Sequence, residues 1–140
     1  ANNPGSPLLA GADIAILLET PPEVVSGSTR LGAATAQKIA LNCLSTLMGV
    51  AIGAVHDGMM VGVVADNAKL RGRAAGIVRR IAGADADEAE RALAAAEGDV
   101  KAAILLAAGA PSPAAARAAL ATHDNHLRGA LAALGSEVKS

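Results

Sequence analysis

The stretch Ile14-Ala15-Ile16-Leu17-Leu18-Glu19-Thr20-Pro21-Pro22-Glu23-Val24-Val25-Ser26-Gly27-Ser28-Thr29-Arg30-Leu31 decides how this chain is read. Its first five residues are uninterruptedly apolar and have the length and composition of a fully buried strand. Pro21 and Pro22 stop that strand, because proline supplies no N–H to a central ladder. A loop of Ser, Gly and Thr then opens a long helix, expected from about Thr29 to Val55. In open α/β sheets this order of strand, polar loop and helix places ligands beyond the carboxyl ends of the strands.

The residue types in the loop suit such a place. A helix N-terminus offers unpaired N–H groups and a partial positive charge to phosphate or carboxylate. Ser26, Ser28 and Thr29 add hydroxyl donors, and Arg30 adds charge in a fork geometry. Glu23 is either an acceptor for a ligand hydroxyl, an acid/base group, or a carboxylate held by the helix dipole. The same residues also suffice simply to cap a long helix, and the pattern alone leaves both uses open.

Upstream, Ser6-Pro7 opens a short helix through about Ala12. The opening Ala1-Asn2-Asn3-Pro4-Gly5 has no basic or apolar signal region and reads as a start inside a loop. Downstream, Ile39 to Val55 is uncharged, with Gly49 and Gly53 as a small-xxx-small pair. A membrane span needs roughly 20 apolar residues, so the expected form is a helix buried on nearly all sides. His56-Asp57-Gly58 ends it, and Met59 to Val64 reads as a second strand or an extended segment. Leu70, Ala74, Ile77, Val78 and Ile81 recur at helical spacing. Lys69, Arg71, Arg73, Arg79 and Arg80 then fall on the solvated faces of that helix.

From about Gly83 the chain repeats itself at an offset of 27 residues. Leu93-Ala-Ala-Ala-Glu-Gly-Asp-Val100-Lys101 aligns with Leu120-Ala-Thr-His-Asp-Asn-His-Leu127-Arg128. Asp85 and Ser112 suit helix N-caps, and Pro113 fits the first helical position. Each unit is a helical hairpin. Two such units bury little surface, so the repeat is expected to lean on something else.

Composition narrows the function classes. The chain has 140 residues, a formal net charge of −1, one cysteine and no aromatic residue; alanine makes up about a quarter of it. Without aromatic faces it cannot stack bases, and near-neutral charge gives no dominant pull toward nucleic acid or an anionic membrane. Cys43 alone cannot form an internal disulfide, which fits a reducing, cytoplasmic setting. Within the expected buried helix it is an inert small hydrophobe rather than a nucleophile. His123 and His126 lack the further ligands a metal site needs, so no metal and no cofactor are expected. A core without aromatics must be made of Leu, Ile, Val and Met with closely approaching Ala and Gly.

The segment from Pro22 to Lys38 closely resembles the signature of the N-acetylmuramic acid 6-phosphate etherases and the related glucokinase regulatory proteins. Their usual pattern is Gly-Pro-Glu-x-(Ile/Leu/Val)-x-Gly-Ser-Thr-Arg-(Leu/Met)-Lys-Ala-Gly-Thr-Ala-Gln-Lys. Leu41-Asn42, Leu44-Ser45-Thr46, Met60-Val61, Asn67-Ala68-Lys69-Leu70 and Gly98-Asp99-Val100-Lys101 resemble later family blocks in the same order. The resemblance implies an α/β fold: residues 1–82 as the C-terminal part of a doubly wound sugar-isomerase (SIS) domain, and 83–140 as a small helical domain, mostly helical in sum. It also implies a lyase that cleaves the D-lactyl ether of N-acetylmuramic acid 6-phosphate during cell-wall recycling, without a metal, using two glutamates.

No part of this chain aligns with the half that carries those glutamates. The chain alone is therefore expected to be inactive, with Glu23, Ser26, Ser28, Thr29, Arg30 and Lys38 as the pocket wall and no catalytic residue. A phosphorylated amino sugar and a second copy, as a homodimer, are the expected partners. Four departures stand out: Pro21 for the glycine before Pro22, Gly32 for the lysine after Leu31, Ala34 for the next glycine, and His56-Asp57-Gly58 for the usual Tyr-Gly-Asn. Gly32 removes a cation near the implied pocket. It favours as alternatives a non-catalytic sugar-phosphate-binding regulator or, from the repeat, a helical interaction module.

Overall fold

The computed structural model describes residues 1–63, 65 and 67–137, with two compact units, Ala1–Met48 and Gly49–Ser140. Helices α1 (Pro7–Ala10) and α2 (Gly32–Ala51) are followed by strands β1 (Val55–His56) and β2 (Met59–Met60). Then come α3 (Ala68–Ala82), α4 (Ala86–Ala95), α5 (Val100–Ala107), α6 (Pro113–Thr122) and α7 (Leu127–Glu137). The chain is thus mostly helical, as expected. The sheet among the described residues is a two-stranded antiparallel ribbon.

In the first unit Ser6-Pro7 does start a helix, but Gly11 closes it after one turn, its N–H reaching the Pro7 carbonyl at 3.1 Å. The expected buried strand over Ile14–Leu18 is not formed. Ile14 is 81% exposed and Ile16 54%. The stretch is held by the Ala1 amino group on the Ile16 carbonyl, at 3.0 Å, and by the Leu18 N–H on the Ala1 carbonyl, at 2.8 Å. An apolar run becomes a central strand only when neighbours pair both its edges. Here it meets a single residue's worth of ladder.

Two features of the long helix also differ from expectation. It starts at Gly32 rather than Thr29, because residues 25–28 form a turn: the Ser28 N–H donates to the Val25 carbonyl at 2.9 Å, and Gly27 takes φ +78°. That is the type II geometry, which requires a positive φ at its third residue. The helix then ends at Ala51 rather than Val55. Gly53 at φ +69° donates to the Val50 carbonyl, and Ala54 to the Gly49 carbonyl at 2.8 Å, the paired bonds of a Schellman cap. No residue of α2 is buried; Ile39, Leu41, Leu44, Leu47 and Met48 are all exposed, and so is Cys43. The apolar run makes a helix whatever covers it, but burial needs a neighbour that the sequence pattern does not supply. No described helix is long and apolar enough to cross a membrane.

The second unit opens with the ribbon. Val55 pairs with Met60 and His56 with Met59, across Asp57 at φ +46° and Gly58 at φ +74°. Two positive φ angles make a type I′ turn, for which Asp-Gly is a preferred pair. His56-Asp57-Gly58 therefore builds a hairpin instead of ending a helix, and the second strand shrinks to Met59–Met60; Val64 lies outside the described residues.

Helix α3 follows its pattern. Asn67 caps it by accepting the Leu70 N–H at 2.9 Å, and Gly83 ends it at φ +71°. Ala74, Ile77 and Val78 are buried, while Lys69, Arg71, Arg73, Arg79 and Arg80 are exposed. The repeat is visible in the backbone itself. Glu97-Gly98 and Asp124-Asn125, 27 positions apart, all take positive φ. The Gly98 N–H reaches Leu93 at 2.9 Å and the Asn125 N–H reaches Leu120 at 2.8 Å. Asp85 caps α4 through the Glu88 N–H at 2.8 Å, and Ser112 caps α6 through the Ala115 N–H at 3.1 Å.

Helix α5 lies at the centre, packing on α3, α4, α6 and α7, with Val100 through Leu105 all buried. Val61, Val78, Ile104, Leu105 and Leu127 fill the core, and fully buried alanines at 74, 89, 96, 102, 103, 116 and 130 let the helices approach closely. This is how a core forms without aromatics: backbone proximity replaces side-chain bulk. The repeat leans on α3, which shares this core.

Equivalent cations of the two repeat units reach the same segment. Lys101, itself buried, donates from Nζ to the carbonyls of Gly53 at 3.2 Å and Asn125 at 2.9 Å. Arg128, 27 residues on, pairs with the Asp57 carboxylate in the hairpin turn. A Cβ on Gly53 would lie 2.5 Å from the Asn125 carbonyl oxygen, so the two turns touch through backbone.

Candidate functional site

The first unit contains a cleft of about 560 Å³ beside the start of α2. Glu23 sits on its wall and fixes the helix. Its carboxylate accepts the Gly32 N–H at 2.8 Å and the Ala33 N–H at 3.0 Å, two of the donors a helix start leaves without partners. The Ala33 and Gly32 amides hold the Glu23 carboxyl below the usual carboxylate range, outweighing a small opposing effect of burial. At neutral pH Glu23 is therefore an anion with both oxygens occupied. It positions the helix and is not available as a proton donor.

Gly32 is fitted to that carboxylate. A Cβ there would sit 3.3 Å from Glu23 Oε2, tighter than ordinary van der Waals contact. The residue that departs from the etherase pattern is thus matched by its own neighbour.

The six residues expected to form the pocket wall separate. Glu23 and Thr29 line the cleft; Ser26, Ser28, Arg30 and Lys38 do not. Arg30, Lys38 and Ser26 are exposed, and Ser28 is half-buried in the turn it helps to close. The other polar residues of the cleft are Asn2, Asn3, Ser6, Thr20 and Gln37. Gln37 donates from its side chain to Asn2 Oδ1, and Asn2 Nδ2 donates to the Leu18 carbonyl at 2.9 Å. Gln37 lies one turn after Ala33, whose N–H Glu23 holds, and that i, i+4 spacing places it on the cleft side of α2.

Elsewhere, His123 Nδ1 lies 2.8 Å from the Ala119 carbonyl of its own helix. No group of three or more His, Cys, Asp or Glu is placed to hold a metal among the described residues. A second cleft, about 710 Å³, opens between α3 and α4 and is lined by alanines and glycines with Leu93, Arg71, Glu90 and Glu97.

No family model matches the chain. Individual relatives do. An N-acetylmuramic acid 6-phosphate etherase of Deinococcus radiodurans is 54% identical over 106 residues, which is 76% of this chain and 35% of that protein. The enzyme of that name from Streptomyces avermitilis is 49% identical over 132 residues, 94% of this chain and 42% of the relative. One from Pectobacterium atrosepticum is 45% identical over 129 residues, 92% of the chain and 43% of the relative. The chain thus spans well under half the length of these curated relatives, and over that span its sequence is similar to that of N-acetylmuramic acid 6-phosphate etherases.

Proposed function

We propose that the chain is the C-terminal part of a phosphosugar lyase of the etherase type, acting on the D-lactyl ether of N-acetylmuramic acid 6-phosphate in the cytoplasm. Residues 1–82 would complete a doubly wound SIS domain and residues 83–140 would form its helical tail. The observation that carries this reading is the 49% identity to the Streptomyces avermitilis etherase over 94% of the chain. The exposed apolar surface of α2 and the exposed residues Ile14, Ile16 and Leu17 support it, since both have the chemistry of elements that a sheet and a second copy, in a homodimer, would cover.

In this reading Glu23 sets the start of α2, and Ser26, Ser28, Thr29, Arg30 and Lys38 contribute to the wall facing a phosphorylated amino sugar. The acid and base are supplied from outside the chain. The purified 140-residue chain, incubated with N-acetylmuramic acid 6-phosphate, is then expected to release no D-lactate. Robust turnover by the chain alone would overturn this division of labour.

A second reading, a sugar-phosphate-binding protein without lyase activity, is favoured by Gly32. The lysine of the etherase pattern is absent, and a Cβ at Gly32 would lie 3.3 Å from Glu23 Oε2. Calorimetry with sugar phosphates on the full-length protein separates the two: binding without D-lactate release supports the regulator, and release supports the lyase.

A further inference from the structure

The cleft between α3 and α4, about 710 Å³, differs in chemistry from the one beside α2. Its floor is Leu93 with alanines, and charges stand on its two sides: Arg71 on α3, Glu90 on α4 and Glu97 in the turn that follows. Among the described residues no Ser, Thr, Asn, Gln or His lines it. Arg71 and Glu90 share the cleft, yet neither has an ion-pair partner among the described residues. Glu97 is partly engaged, 3.8 Å from the Arg117 guanidinium, which also donates to the Ala96 carbonyl. Gly72 lies inside α3 and lines the same cleft; a Cβ there would meet nothing within 4 Å. A glycine within a helix costs stability relative to alanine, and no described neighbour requires this one. What its missing side chain leaves is room in the cleft.

We infer that this cleft binds a short peptide of two or three residues with free ends and small aliphatic side chains, its carboxylate at Arg71 and its ammonium at Glu90. A ligand that satisfies both sides must carry both charges, an anion for the guanidinium fork and a cation for the carboxylate. Its body must be aliphatic, because the floor offers no aromatic face and no neutral polar side chain. A sugar or a nucleoside is oriented by hydroxyl and amide partners and would find none among these side chains. The span sets the length. Packed helices keep their axes about 8–10 Å apart, and an extended chain advances about 3.3–3.6 Å per residue. Two or three residues therefore bridge the cleft, whereas the two charges of a single amino acid lie too close together to reach both sides. Exposed charges contribute little on their own, and burial of the aliphatic body against Leu93 adds to them. No residue of the Pro22 to Lys38 motif takes part, so the inference is independent of the lyase reading.

The test is a titration of the isotope-labelled 140-residue chain, followed by amide chemical shifts. The ligands are the dipeptide alanyl-leucine, the same dipeptide acetylated and amidated at its ends, and free leucine. Alanyl-leucine is expected to give saturable shifts at Gly72, Ala75, Ala94 and Gly98, which line the cleft. The blocked dipeptide and leucine are each expected to bind more weakly by about fivefold or more. Arg71→Gln and Glu90→Gln, both at exposed positions, should each weaken alanyl-leucine by about fivefold. Gly72→Leu should fill the cleft and weaken it by about tenfold or more, while the melting temperature rises by about 4 °C because leucine favours the helix. A glycine without a part in binding would show the rise and no loss of affinity. Absence of saturable shifts at these four amides, equal binding of the blocked dipeptide or of leucine, or parental affinity in Gly72→Leu would overturn the inference.

Discussion

Replacing Gly53 by alanine tests the contact that joins the hairpin end of the second unit to its helical repeat. Two costs add. At φ +69° an L side chain meets its own carbonyl, which costs about 1–2 kcal/mol. The new Cβ would also lie 2.5 Å from the Asn125 carbonyl oxygen and 3.1 Å from its carbon. Both atoms are backbone, so relief requires the two turns to separate. Separation breaks the bonds by which Lys101 Nζ joins the carbonyls of Gly53 and Asn125. Charge-assisted bonds of this kind contribute about 1.5–3 kcal/mol each. The expected loss is therefore about 3 kcal/mol or more.

Gly58 is the internal control: its φ is +74°, and a Cβ there meets nothing within 4 Å. Gly58→Ala incurs only the conformational cost, about 1–2 kcal/mol. Each kcal/mol moves the melting temperature of a unit this size by about 4–8 °C. Thermal melts and urea titrations of the three chains should place Gly53→Ala well below Gly58→Ala, and Gly58→Ala below the parent. Equal destabilisation by the two substitutions would refute the close approach of residues 53 and 125.

Two further perturbations read the same region through charge. The Arg128 hydrogen bond holds the Asp57 carboxyl below its usual 3.8, so the pair's contribution is complete above that pH and is lost as pH falls through the folded value. Arg128→Gln should remove this part of the acid-side loss, seen as a shallower fall of stability in melts below pH 4; an unchanged acid limb would contradict it. Burial holds the Lys101 ammonium below its usual 10.5, so between the folded value and 10.5 the unfolded chain binds more protons and stability rises with pH. Lys101→Met should flatten that rise and destabilise the chain by about 1–3 kcal/mol at neutral pH, because the buried Gly53 carbonyl and the Asn125 carbonyl lose their donor. A more stable Lys101→Met chain would show that those carbonyls find other partners.

What could be read from the sequence follows from where the governing interactions lie. The repeat was legible because capping and turn chemistry are local: Asp85, Ser112 and the pair Glu97-Gly98 act within a few residues of themselves. Helix α3 was legible because its 3.6-residue period carries its own burial. The strand over Ile14–Leu18 and the buried state of α2 were misread because both depend on neighbours that no local pattern specifies. The hairpin was missed because Asp57-Gly58, a turn signal, sat at the end of an apolar run that looked like continuing helix. At the cleft the motif gave Glu23 and Thr29. Arg30 and Lys38 lie outside the lining of this cleft. The role of Gln37 is not legible within the motif, because it depends on Asn2, 35 residues away.

The central claim, that this chain is the C-terminal part of an etherase-type lyase, is tested most directly by exchange. The 132 matching residues of the Streptomyces avermitilis etherase are replaced by this chain, and D-lactate release from N-acetylmuramic acid 6-phosphate is measured. The account predicts a folded chimera that releases D-lactate. A chimera that folds and binds the substrate but releases none, in the presence of an active parent enzyme, would contradict it.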